Sequence, residues 1–364
     1  MNHNILNTNN LNTKTDMLRQ ELREMALRLP PGSPIPSVRE LIKQYSVSQV
    51  TVVGALETLK KEGLIVSFVG DGTYTKGKTA IQESKTGQTV IELLIHNYPS
   101  RFSSMIKDAV ANACQWSGIS LKINMYDHLR RMDEIRISGS SDAIIFSPGI
   151  FPITIKELSK LESFGVPLVC LGVSLDDVSV DSISTDDRHG GALAAAHLAG
   201  LGHRKISVVV AEPEIKSPIR NRIDGFIAHS TLAGITPDVI NCGTLLGENP
   251  FDKAYETIAG LAKSGRLDCT ALFVDTDNCA LGAIRALSDA GLNVPNDISV
   301  IGFDGIPEGA YYRPALTTIS QDLDAWAQAV ISTIHLRTGN PSGACSHLKI
   351  KPRLTVREST AKVK

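Results

Sequence analysis

The chain has 364 residues, of which 42% are hydrophobic and 21% charged, and 37 Lys+Arg stand against 38 Asp+Glu. This is the composition of an ordinary globular protein with room for two or three domains. No apolar stretch approaches the length of a membrane span, and the polar, asparagine-rich first dozen residues are unlike a signal peptide, so a cytoplasmic protein without membrane contact is expected.

From Lys14 to about Leu29 the spacing of Leu18, Leu22, Met25 and Leu29 predicts an amphipathic helix. Pro34 and Pro36 then keep the chain extended. Ser37 and Glu40 have the S-x-x-E spacing of a capping box, which opens a short helix to about Tyr45. After a turn at Ser46-Val47, Ser48 caps a second helix running to about Glu62, with Gly63 placed as a C′ glycine. Val52, Ala55, Leu56 and Leu59 form its buried face, leaving Gln49, Val50, Thr51, Val53 and Gly54 outward. Leu64 to Val69 is β-rich, Gly70-Asp71-Gly72 is a tight turn, and Thr73-Tyr74-Thr75 returns as a hairpin. In that order these parts spell a winged helix-turn-helix, a device that lays a helix in the DNA major groove. Charge agrees: residues 1–80 carry 10 Lys+Arg against 7 Asp+Glu, and the remainder 27 against 31. The excess is small for a lone DNA binder, so a dimer held together by the rest of the chain is expected.

Gly72 to Thr79 satisfies the phosphate-loop pattern G-x-x-x-x-G-K-[ST]. That motif needs a buried strand before it and an apolar helix after it. Here the first glycine belongs to a hairpin turn and the polar AIQESKTGQ follows, so no nucleotide site is expected.

Beyond Thr89 apolar strands such as VIELLIH, DAIIFSP, VPLVCLG, KISVVVA, TALFVDT and ISVIGFD alternate with amphipathic stretches. The alternation predicts an α/β body with parallel sheets, and about 270 residues exceed one core, so two lobes are expected. Ligands of such sheets sit at the carboxyl ends of the strands, which here means the cleft between lobes. Cys114, Cys170, Cys242, Cys269, Cys279 and Cys345 show no C-x-x-C spacing, which argues for reduced thiols. The nine histidines form no metal-binding pattern, and neither a metal nor a cofactor is expected. There is no G-x-G-x-x-G after the first strand, no nucleophile elbow and no paired acid and base, so an enzyme is not expected either.

Residues 14–76 resemble the DNA-binding head of the GntR family, with P-S-x-R-E-L at Pro36 to Leu41 and E-G-L-I…G-x-G-T-Y at Glu62 to Tyr74. The resemblance implies DNA contacts from Ser37, Arg39, Ser48, Gln49, Thr51 and Val53, and from the wing glycines Gly70 and Gly72. The family usually carries arginines where this chain has Gln49, Val53 and Gly54, and a basic residue in place of Asp71. An arginine reads guanine bidentately, whereas a valine only touches a thymine methyl, so the family's usual operator does not transfer.

From about Val90 to Arg357 the chain resembles the sensor domain of the LacI/GalR family, itself similar to periplasmic sugar-binding proteins. DSISTDDRHGGALAAAHLAGLGHRKI, RNRIDGF, ALGAIRALSDAGLNVPNDISVIGFDG and RPALTTISQD carry the likeness. The two resemblances imply a disordered N-terminus over 1–13, a head over 14–76, a linker over 77–88 and a two-lobed body over 89–364. The N-lobe takes about 89–185 with 321–345 and the C-lobe 186–320 with 346–364, the chain crossing near Thr185, Ser320 and Cys345. The stretch from Tyr126 to Ser141 is shorter than usual, as if one N-lobe helix were trimmed.

By resemblance Arg222 hydrogen-bonds the ligand's hydroxyls and Asp304 accepts from them, the alternative for both being an interlobe salt bridge. Thr276 stands where an asparagine often binds the ligand. Asp277 is a further candidate whose other role is to cap the helix that follows, and Asp186 and Asp187 read mainly as caps. Phe102, Phe146 and Ser147 lie where N-lobe loops face the cleft, where an aromatic ring stacks on a sugar. The expected whole is a dimeric, DNA-binding transcriptional repressor that senses a small sugar-like effector. The change at Thr276 leaves open a regulator without effector response.

Overall fold

In the computed structural model, residues 14–29, 33–62, 64–68, 72–75, 88–98, 100–127, 137, 141–149, 153–213, 218–341 and 343–363 are described. The chain forms two compact units, one of residues up to Thr89 together with Ala111–Ser120, the other of Val90–Val110 and Leu121–Lys364.

In the first unit α1 (Lys14–Arg28), β1 (Pro34–Ile35), α2 (Val38–Tyr45), α3 (Gln49–Lys61), β2 (Ile65–Phe68) and β3 (Gly72–Thr75) follow in order. Both halves of the capping box form at α2: the Ser37 side chain accepts from the Glu40 amide and Glu40 from the Ser37 amide. The run Val50-Thr51-Val52-Val53 is a poor helix former. What holds α3 is the Ser48 cap on the Thr51 amide and the burial of Val52, Ala55, Leu56 and Leu59 against Leu18, Leu22 and Leu41. Ala26, rather than Leu29, completes the buried stripe of α1. Arg23 reaches both oxygens of Glu62 and ties α1 to the end of α3. The hairpin pairs Phe68 with Gly72, and β1, which the sequence reading treats only as extended chain, adds to β3 as a third strand.

The second unit contains two six-stranded sheets. The first is built from β4 (Val90–His96), β5 (Ser120–Tyr126), β6 (Ala143–Ser147), β7 (Leu168–Leu171), β8 (Asp181–Thr185) and β14 (His347–Ile350), in the order β14-β8-β7-β6-β4-β5. With it go α4 (Arg101–Trp116), whose part from Ala111 onward counts with the first unit, α5 (Ile155–Glu162) and α11 (Leu323–Gly339). The second sheet is built from β9 (Ile206–Val210), β10 (Asp238–Asn241), β11 (Ala271–Val274), β12 (Ser299–Asp304), β13 (Thr317–Ser320) and β15 (Arg353–Thr355), in the order β10-β9-β11-β12-β13-β15. Its strands run parallel except β15, which pairs antiparallel with β13.

Helices α6 (Asp187–Gly200), α7 (Pro218–Leu232), α8 (Pro250–Lys263) and α9 (Asp277–Asp289) cover this second sheet, with the short α10 (Glu308–Tyr311) before β13. Along β11, Leu272 and Val274 join one apolar core and Ala271 and Phe273 another. Alternate side chains of one strand thus feed two cores, as a sheet covered on both faces requires.

The chain passes between sheets after Thr185 and after Ser320, and returns between Ile350 and Arg353. The return lies beyond the expected Cys345 because His347–Ile350 first pairs with β8 as an edge strand of the N-lobe. The three crossing segments are bonded to one another: Thr185 Oγ1 to Gln321 Oε1 at 2.5 Å, and the Asp186 amide to the Ile350 carbonyl at 2.8 Å. Arg337 on α11, bidentate on Asp181 of β8, fixes the helix that follows the second crossing. Most of the short stretch from Tyr126 to Ser141 lies outside the described residues.

Candidate DNA interface and effector site

On the head, Gln49, Val50, Val53 and Gly54 are exposed along one face of α3, Val50 at 82% and Val53 at 41%. Thr51 is half-buried and its hydroxyl bonds to Ser48 Oγ at 2.9 Å. Arg39, in the first turn of α2, is exposed and makes no ion pair with a described residue. Ser37 and Ser48 spend their side-chain oxygens as caps, so any DNA contact from them is secondary to that job. Gly72 opens β3, and Gly70 lies outside the described residues.

Two changes test this face. Arg39→Ala should weaken binding to all sequences and flatten its salt dependence if the guanidinium holds phosphate, or relax one base position if it reads an edge. Unchanged affinity at every salt concentration would remove Arg39 from the interface. Val53→Arg should alter the sequence returned by binding-site selection, and an identical consensus would take Val53 off the groove-facing side.

In the body, the strand ends of the two sheets face one another across a cleft with about 680 Å³ of space between atoms, part of it open to solvent. On the C-lobe wall the Arg222 guanidinium, carried by α7, is buried 3.8 Å from the ring centre of Phe303. Its Nε donates to Asp187 at 2.8 Å, and Nη1 donates to the Asp275 carbonyl at 2.9 Å and lies 3.1 Å from Asp304. Nη2 has no partner among the described residues. Arg222 and Asp304, for which an interlobe salt bridge is the alternative reading, pair with each other within one lobe. Burial alone would lower the arginine's pKa, but Asp304 and Asp187 outweigh it and hold it above the ordinary value.

Asp304 ends β12 with φ +123, a backbone region that L side chains rarely adopt. Its Oδ1 accepts from Gln321 Nε2 at 2.8 Å and its carbonyl from the Gln321 amide, which hold it in place. Burial pushes its carboxyl up to about 7 against the pull of Arg222. Among the described residues Oδ2 has no partner, and the same is true of Asp187 Oδ2. An arginine donor thus stands between two carboxylate acceptors at the cleft wall.

Glu212, after β9, accepts from the Tyr98 hydroxyl of the opposite wall at 3.3 Å. Burial first, then Asp275 and Asp304, push its carboxyl up to about 8. Thr276 lines the cleft, as does Trp326 of the other lobe, and among the described residues neither the buried Thr276 Oγ1 nor Trp326 Nε1 meets a hydrogen-bond partner. Phe102 lines it too, edge-on to Trp326 with ring centres 6.0 Å apart, as does Ser147.

Two expected cleft residues are elsewhere. Phe146 packs into the N-lobe core with Leu94, Leu158 and Cys170, because neighbours along a strand point to opposite faces. Asp277 is fully buried and is neither a cleft residue nor the cap of its own helix. Its carboxylate accepts from the Gly305 and Ile306 amides and from Thr318 Oγ1, clamping the loop after Asp304. Burial raises its pKa to about 6.

Asp186 is the α6 cap, as read, but Asp187 is an ion-pair partner of Arg222. Tyr98, Glu212, Gln321 and Trp326 were missed. The first three follow the carboxyl ends of β4, β9 and β13, so applying the strand-end rule to every strand finds them.

Arg222→Ala should therefore harm the fold as well as the site. It leaves Asp187 and Asp304 buried without their shared countercharge, a loss of about 3–5 kcal/mol. Urea denaturation measures it, and wild-type stability would mean that the two carboxyls do not need the arginine.

Residues 14–75 match the gntR family of bacterial regulatory proteins, and residues 195–360 match the periplasmic-binding-protein-like domain. The chain is 32% identical to the HTH-type transcriptional regulator MalR of Streptomyces coelicolor over 63% of its own length and 67% of that protein. It is 27% identical to the arabinose metabolism transcriptional repressor of Halalkalibacterium halodurans over 97% and 98% of the two. A LacI family regulator of Enterococcus faecium, solved with bound ribose, superposes with a TM-score of 0.64 at 25% identity, covering 76% of this chain and 100% of that one. The chain belongs to the HTH-type transcriptional regulators whose DNA-binding head is joined to a periplasmic-binding-protein-like body, here with a head of the GntR type.

Proposed function

We propose that the protein is a repressor that binds a roughly palindromic operator as a dimer, using Arg39, Gln49, Thr51 and Val53, and that releases or tightens its grip when a small sugar enters the body's cleft. The observation that carries the sensing half is the Arg222 donor flanked by the acceptors Asp187 and Asp304. That alternation matches neighbouring hydroxyls on a sugar ring, whose apolar faces suit Phe102 and Trp326. The ribose-bound relative points the same way.

Coupling follows from the hydrogen bonds. Asp304 is bonded to Gln321 and Gln321 to Thr185, so a ligand on Asp304 pulls on two of the three crossing segments. Preference for one arrangement of the lobes then shifts the population that spaces the two heads for DNA. The dimer is supported by Ile123 and Met125, apolar side chains about half exposed on edge strand β5. A thermal-shift panel of neutral sugars on the full chain tests the reading. A ligand at 100 times its Kd should add about 2.7 kcal/mol of stability, and no shift from any sugar would remove the sensor.

A further inference from the structure

We propose that the cleft is selective for an uncharged polyhydroxy ligand and rejects the phosphorylated and carboxylated forms of the same sugar, with Glu212 as a determinant of that choice. The inference rests on the cleft being the effector site. Among its described lining residues Asp187, Glu212 and Asp304 face Arg222 and no lysine, and the adjoining space along Tyr98, Glu212 and Asp304 adds Glu248 and Arg101, the latter paired with Glu308.

Arg222 does not supply an anion hole. Its Nε and Nη1 are already taken by Asp187, the Asp275 carbonyl and Asp304, so one nitrogen remains. Phosphate recognition by arginine uses a bidentate fork that these bonds have broken up.

The lining is rich in acceptors. Among the described residues Asp187 Oδ2 and Asp304 Oδ2 have no partner, and the Glu212 carboxyl accepts from Tyr98 alone. Hydroxyl groups donate to or accept from these carboxyls in either protonation state, whereas phosphate and carboxylate oxygens only accept and meet any ionised carboxylate head on. The raised pKa values of Glu212 and Asp304 report the same conditions from the protein's side. Burial, and for Glu212 the nearby Asp275 and Asp304, already disfavour negative charge there. A ligand anion would be subject to both effects.

The test uses matched sets on the full chain: arabinose, ribose, xylose, galactose and glucose, each with its terminal phosphate ester and its aldonate. Melting shifts find the binders, and calorimetric titration gives each Kd. We expect a neutral sugar to bind and its two anionic forms to be weaker by on the order of 100-fold or more. A phosphate ester or aldonate that binds as tightly as its parent overturns the selectivity and leaves the sugar-sensor reading standing. If no member of any set binds, the reading and the inference fall together. At about pH 9, where Glu212 is ionised, Glu212→Gln should raise the affinity for the phosphate ester relative to the parent sugar. An unchanged ratio, in a variant that melts like wild type, would take Glu212 out of the selection.

Discussion

Gly191→Ala, and separately Gly225→Ala, should destabilise the body by about 3 kcal/mol or more, beyond the usual cost of a helical substitution. A Cβ on Gly191 would fall onto the Arg222 carbonyl and within 2.7 Å of the Phe226 amide nitrogen, and one on Gly225 would fall onto the Arg188 carbonyl. These are backbone atoms of the facing helix, so no rotamer change relieves the clash, and α6 and α7 must move apart. The two helices carry Asp187 and Arg222, and their separation would loosen that pair as well. Gly200, at the end of α6 with nothing within 4 Å of its would-be Cβ, is the control. Alanine there should be neutral or stabilising by up to about 1 kcal/mol. The melting of the body by circular dichroism measures all three. Gly191→Ala melting like Gly200→Ala would mean that the two helices do not approach this closely.

Asp304→Ala should lower effector affinity about ten- to hundred-fold, the effect of removing a charged acceptor worth about 1.5–3 kcal/mol from a desolvated polar contact. The fold should survive, because Arg222 keeps Asp187 and the Asp275 carbonyl, and Asp277 still clamps the following loop. Alanine inherits the strained φ of +123, whereas glycine adopts it freely. Asp304→Gly should therefore be the more stable variant and equally blind to effector. Titration calorimetry with a sugar found by the melting screen decides the matter, and wild-type affinity in either variant would reduce Asp304 to a loop-stabilising residue.

The head was legible almost residue by residue because its signals are local. A capping box, a capping serine and a four-residue buried face each act within a turn or two of helix, and all of them form. In the body the alternation of strands and helices was equally plain. What stayed hidden depends on contacts far apart in sequence. Asp277 reads as a helix cap until Gly305 and Thr318 arrive from 28 and 41 residues away. Asp187 reads as another until Arg222 is packed against it. The third crossing was misplaced because β14 finds its partner 165 residues upstream, in β8. Phe146 was misassigned for a smaller reason: a strand's end was located, but not which of its two last side chains faces the core.

The most direct test of the account is an operator titration by fluorescence anisotropy, using DNA recovered by binding-site selection with the full chain, with and without the sugar that raises its melting temperature. We expect that sugar to change wild-type operator affinity by tenfold or more, while Asp304→Ala binds operator like effector-free wild type and is insensitive to the same concentration. A sugar that binds the body at the cleft yet leaves wild-type operator affinity unchanged would contradict the claim that the cleft controls the head.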